Sequence, residues 1–220
     1  MSAVVIAPKR IGDRLRSALS PRLASGAYVR WSRVPGVVMS AQDVVGVIES
    51  DPGAMRVLRA AADLGLPDWW IGAGFVRNRV WDAISNLPVS PERDVDVAYF
   101  DPEKLDPRED ARAEAQAMVA LPGVPWEIRN QARMHLRNGD EPYMSALDAI
   151  SRWPETATCV AVTLRGDSVR LVSCHGLADL VGMVIRPSPA FNNAAGRAKV
   201  QRRVEAKGWL DRWAGLRLEI

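Results

Sequence analysis

The chain has 220 residues, 48% of them hydrophobic, and a formal net charge of +3, which is apolar content enough for a core in one large domain or two small ones. Two cysteines and two histidines are too few for a disulfide framework or a zinc cluster. No apolar run reaches the length of a membrane span, and the opening apolar stretch precedes its charges, the reverse of a secretory signal, so the expected setting is cytoplasmic with no membrane partner.

In chain order, residues 1–39 come first, with seven cations from Lys9 to Arg33 against Asp13 alone, a net +6 that leaves −3 for the remainder. This reads as a basic N-terminal extension, solvated and partly disordered, ahead of one domain over 40–220. Met39 stands where the organised pattern begins and is an alternative start. Ser40-Ala41-Gln42-Asp43 forms a capping box with Asp in place of Glu, and Val44, Val45, Val47 and Ile48 continue it as a helical stripe that stops near Asp51-Pro52-Gly53. Met55, Val57, Leu58, Ala61, Ala62 and Leu64 predict a second helix, ended by Gly65 and Pro67. Trp69-Trp70-Ile71 predicts a short buried strand, after which Gly72-Ala73-Gly74 turns the chain into a helix through Phe75, Val76, Val80, Trp81 and Ile84.

Beyond a loop over 87–91, Val95, Val97, Tyr99 and Phe100 predict a strand, 108–121 a helix and 126–129 another strand. This alternation indicates an α/β (α+β) layer architecture. Residues 159–165 and 168–174 flank Gly166-Asp167, so a two-residue loop pairs positions whose numbers sum to 333. That register puts Val160, Val162, Leu164, Val169 and Leu171 on one face and sets Cys159 opposite Cys174, two thiols expected to stay reduced. A helix through Leu177, Leu180, Val181 and Val184 follows. The last helix, over 193–213, is basic on one side and carries Val200, Val204, Trp209, Leu210 and Trp213 on the other, with its tryptophans expected in the core.

Chemistry concentrates around two short segments. Asp94 and Asp96 alternate with valines on a strand, so both point the same way and suit one hard divalent cation. About twenty residues earlier, Gly72, Ala73 and Gly74 open a helix whose first amides suit a phosphate. Arg77 sits one turn into that helix, where the dipole disfavours a cation and an anionic partner is expected. Glu127, between apolar neighbours on a later strand, supplies a third carboxylate. Together they predict a site for a nucleoside triphosphate with Mg²⁺ (or Mn²⁺) held by Asp94, Asp96 and Glu127.

These segments resemble the nucleotidyltransferase superfamily, with its polymerase-beta-like fold. The poly(A) polymerase and tRNA nucleotidyltransferase branch carries a Gly-Gly-x-Val-Arg-Asp turn before an Asp-x-Asp strand, and Ala73-Gly74-Phe75-Val76-Arg77-Asn78 occupies that place here. Ala73 stands for the first glycine and Asn78 for the aspartate. Over roughly residues 40 to 215, the segments from Trp69 to Asn78, Asp94 to Val97, Asn130 to His135 and Lys207 to Trp213 resemble a bacterial family of uncharacterised nucleotidyltransferase-like proteins. The resemblance implies a mixed sheet with flanking helices and a C-terminal hairpin, and a nucleotide site at Gly72, Ala73, Gly74, Arg77 and Asn78. Asn130, Arg133 and His135 are the expected acceptor side. The acceptor itself, a small molecule, a protein or an RNA end, is left open.

Two other readings are weighed against transfer. The same fold without activity would serve as a nucleotide- or RNA-binding module, a reading that loss of an acid would favour; all three are present. A glycosyltransferase would need a larger nucleotide domain ahead of its acids than the thirty or so organised residues that precede the glycine turn.

Overall fold

The computed structural model describes residues 4–6 and 39–220; the rest of the expected basic extension lies outside the described residues. Six strands form one mixed sheet: β1 (Val4–Ile6), β2 (Trp70–Gly72), β3 (Val95–Tyr99), β4 (Trp126–Asn130), β5 (Val160–Arg165) and β6 (Ser168–Ser173), in the order β1-β6-β5-β2-β3-β4. Every neighbouring pair is antiparallel except β3 and β4. That parallel pair needs a crossover. Helix α4 (Pro107–Ala120), capped by Asp106, provides it and packs Ala113 and Ala117 into the core.

Local signals set the element ends. Helix α1 (Ala41–Glu49) opens with the expected box: Asp43 N–H donates to Ser40 Oγ at 3.2 Å, and Ser40 N–H donates to Asp43 Oδ2 at 2.7 Å. Helix α2 (Pro52–Asp63) starts on the Asp51 cap with proline in its first turn. Helix α3 (Gly74–Ser85) leaves the glycine turn and stops at Asn86 in the left-handed region. The β5–β6 pairing runs from Val160 opposite Ser173 to Arg165 opposite Ser168, each pair summing to 333. The next rung follows the same register, since Cys174 N–H donates to the Cys159 carbonyl at 3.0 Å, and both thiols are free. This hairpin joins the central sheet, with β5 in register against β2.

The alternation of side chains divides the molecule into two layers. On one face Val95, Val97, Tyr99, Val160, Val162 and Leu171 meet the helices in the main core. On the other, Trp70, Ala98, Ala161 and Val172 meet Ala146 and Ile150 of α6 (Ala146–Ser151), the helix after the short α5 (Met134–Asn138). Toward β3 and β4 this second face is left uncovered, and there the acids stand.

The C-terminal quarter departs from expectation twice. Helix α7 (Ala178–Val181) ends at Gly182 and Met183, whose φ of 53° breaks the helix, and Val184 begins β7 (Val184–Ile185). Its β-branched pair lies parallel to β8 (Arg217–Leu218). The predicted helix over 193–213 is two, α8 (Ala194–Lys207) and α9 (Trp209–Arg212), because Gly208 turns left-handed at φ 61°. The turn swings Trp209 and Trp213 onto the fully buried Trp81 of α3, edge to face at centroid separations of 6.2 and 5.1 Å.

One buried acid ties these parts together. Asp82 is 1% exposed and accepts from Trp213 Nε1 at 2.9 Å, Arg212 at 3.0 Å and the Ser90 amide and hydroxyl at 2.7 and 2.6 Å. Asp82→Ala leaves an indole N–H and a guanidinium without their acceptor. The expected cost is on the order of 3 kcal/mol, read as a thermal midpoint lowered by roughly 6–12 °C; an unchanged midpoint would show that α9 is not anchored through this carboxylate.

Candidate active site

Parallel pairing sets the site. Asp96 of β3 lies directly opposite Glu127 of β4, and Ala98 opposite Arg129, so both rungs share the uncovered face of the sheet. Asp94, two residues before Asp96, belongs to the same row. Three acids side by side repel one another. Burial, then the charges of Asp94 and Glu127, push the Asp96 carboxyl up to about 6, while Lys207 and Arg77 pull the other way.

The glycine turn meets this row from β2. A side chain at Gly74 would stand 3.8 Å from Asp94 Oδ1 and 3.4 Å from Asn78 Nδ2. Those are ordinary contact distances, and they place the first turn of α3 directly beside Asp94. Ala73 holds φ 50° and ψ −124°, a conformation that favours glycine, so the branch's usual residue is missing where the backbone needs it most. Gly72 has another task. A methyl there would strike the Trp153 ring at 2.7 and 2.9 Å, so its absence lets that indole lie on β2.

A cleft of about 910 Å³ opens over this face. Asp96, Glu127 and Ala73 line it together with Trp153, Arg152, Arg129 and Arg137, and with Lys199 and Arg203 of α8. The sequence shows the 199, 203, 207 spacing of cations on a helix, yet nothing in it marks them as site residues.

Other expected residues lie elsewhere. Arg77 is 4% exposed, with its guanidinium 4.0 Å from the Trp209 ring centroid and donating to Asn78 Oδ1 at 2.8 Å. Burial lowers its pKa to about 10, offset by the charges of Glu155, Asp94 and Asp96. Arg77 and Asn78 therefore back the turn and do not line the cleft. Asn130 is fully buried and donates to the carbonyls of Asp101 and Lys104, both at 2.8 Å. Arg133 is ion-paired with Asp110, and His135 stands edge-on to Tyr143. None of these three lines the cleft.

A family model described as nucleotidyltransferase matches residues 59–218, well over half of the chain. The chain belongs to the nucleotidyltransferase family. An NMR structure described as revealing a CCA-adding enzyme head domain is 32% identical, at TM-score 0.73, and the match covers 83% of this nucleotidyltransferase and 97% of that chain. The Thermotoga maritima CCA-adding enzyme complexed with tRNA is 18% identical at TM-score 0.50 and shares the fold; the match covers 80% of this chain and 42% of that longer one. No curated protein matches the sequence. This nucleotidyltransferase is accordingly a transferase, built on the mixed-sheet core expected of it.

Among the described residues, no three acid, thiol or imidazole side chains already converge as they would around an ion. The donor set still suits a hard divalent cation: the neighbouring groups are carboxylate oxygens, and their mutual repulsion calls for positive charge. That repulsion has a sign. Since Asp96 titrates near 6 when folded and near 3.8 otherwise, its contribution to stability is full below the lower value and is lost as pH rises through the upper one. Metal-free Asp96→Asn is expected to exceed wild type by on the order of 2 kcal/mol at pH 7.5, or roughly 4–8 °C, with the difference vanishing near pH 4. Thermal melts across that range check it; a variant less stable than wild type at pH 7.5 would mark Asp96 as a structural acid.

Proposed function

We propose that this chain moves a nucleoside monophosphate from a nucleoside triphosphate to an acceptor hydroxyl, with a divalent ion, Mg²⁺ or Mn²⁺, held by Asp94 and Asp96 and a second position completed by Glu127. The observation that carries the reading is the acid row itself: Asp96 in register with Glu127 on adjacent parallel strands, and Asp94 two residues upstream beside the glycine turn. Bound there, the ion would supply Lewis-acid polarisation of the phosphate oxygens.

The chain's own residues do the rest. The cleft binds the nucleotide, with the Gly72-Ala73-Gly74 turn and the first amides of α3 against its phosphates. The acceptor oxygen bonds to the α-phosphorus as the bond to pyrophosphate breaks, and the hydroxyl proton leaves with a base. Glu127 is exposed at the outer strand and is placed to take that proton if it is not committed to the second ion. Arg77, held under the turn, keeps positive charge behind the row. The 32% identical CCA-adding enzyme head domain makes an RNA 3′ hydroxyl the first acceptor to test. Among the described residues no helix is long and apolar enough to cross a membrane, and the cytoplasm is the setting proposed.

Purified protein incubated with Mg²⁺ and each α-labelled nucleoside triphosphate, with and without total RNA or cell extract, is expected to yield labelled product. Asp94→Ala and Asp96→Ala should each lose at least about tenfold in Mg²⁺-dependent nucleotide affinity, with folding intact. Glu127→Ala should weaken binding less than turnover. Unchanged Mg²⁺-dependent affinity in Asp96→Ala would overturn the ion assignment, and binding without any labelled product would favour the module that binds and does not transfer.

A further inference from the structure

The burial of Arg77 leaves the polyphosphate chain without the cation expected to grip it. Helix α8 presents others. Lys199, Arg203 and Lys207 recur every four residues and so share one side of the helix, spanning about 12 Å along its axis, too long for a single phosphate. Val200 and Val204 are buried on the neighbouring side, and Gly196 packs against the Phe191 backbone where a methyl has no room. Past its other end, Gly208 leads to Trp209 on Trp81. The helix is thus pinned at both ends, with Lys199 and Arg203 in the cleft lining and Lys207 beside Asp94.

Each cation has a different relation to that site. Lys199 lines the cleft with its ammonium 5.1 Å from the Phe191 ring centroid. Arg203, also in the cleft wall, donates Nε to the fully buried Glu155 at 2.8 Å, which fixes its fork and leaves its terminal nitrogens without a bonded partner among the described residues. Lys207 Nζ stands 3.9 Å from Asp94 Oδ2.

We propose that α8 is the polyphosphate clamp of this enzyme, with Lys199, Arg203 and Lys207 taking the nucleotide's phosphates and Lys207 occupying the place of the divalent cation beside Asp94 until that cation arrives. This rests on the nucleotidyl-transfer reading and adds the ligand's grip and an order of events. A lysine is a compact charge on a flexible stem. A divalent ion held at Asp94 would compete with the Lys207 ammonium for that carboxylate, and the ammonium so displaced would be free to pair with a phosphate.

The two roles of Lys207 have opposite signs, and this makes them separable. In Lys207→Gln, Mn²⁺ alone should bind about threefold to tenfold more tightly, because a competing cation has gone, while ATP in the presence of Ca²⁺ should bind about fivefold to tenfold more weakly. Lys199→Gln should weaken ATP by a similar factor and leave Mn²⁺ binding unchanged. AMP should change less than about twofold in either variant. Both side chains are exposed, and thermal melts confirm that the variants fold. Mn²⁺ titration by electron paramagnetic resonance and calorimetry with ATP, ADP and AMP read the outcome. Equal losses for AMP and ATP, unaltered ATP affinity in both variants, or Mn²⁺ binding that fails to tighten in Lys207→Gln would each overturn the clamp. Wild-type protein that binds no nucleoside triphosphate at all would overturn the transfer reading beneath it.

Discussion

Two carboxylates held abreast on the β3–β4 pair, with a third two residues upstream, set the terms for everything around them. Left alone they repel, and the protein sets positive charge beside them: Arg77 stacked under the turn, and the flexible Lys207 at the end of α8. The first is held by the packing behind it. Arg77 depends on Trp81 and Trp209, and Trp209 depends on the left-handed Gly208 that breaks the final helix in two. The C-terminal segment is therefore part of the site's electrostatics, although it contributes no acid.

This dependence explains why so much of the core is aromatic at one corner. Trp81 packs against Trp209 and Trp213 and donates its own N–H to the Leu180 carbonyl at 2.9 Å. A buried guanidinium needs flat, polarisable neighbours as well as counter-charge, because it has surrendered water on nearly every side. Glu155, wholly buried and bonded to both Arg203 and Thr158, carries part of that counter-charge.

What can be read from the sequence is what short-range periodicity encodes. The capping box at Ser40, the hairpin register through Gly166-Asp167 and the shared face of Asp94 and Asp96 all follow from neighbours a few residues apart. The pairing of Asp96 with Glu127 joins strands across a whole helix, so the third acid is nameable from sequence while its register is not. Arg77 reads as a phosphate ligand for a related reason: its helix position suggests an anion, but the tryptophan covering it arrives from residue 209. Asn130, Arg133 and His135 likewise draw attention by their pattern, and their contacts run inward, to Lys104, Asp110 and the Tyr143 ring. The α8 cations are legible as a spacing and illegible as a site, since nothing local says what a basic helix face will confront.

The position of β4 carries a further consequence. It ends the sheet order, so among the described residues one side of its backbone meets no strand. Free strand edges invite pairing with other chains, and alternating charge on such an edge discourages it. Glu127 and Arg129 supply that alternation here, with Glu127 exposed. The carboxylate proposed for chemistry is thus also one of the charges that discourage pairing at this edge, and replacing it bears on both.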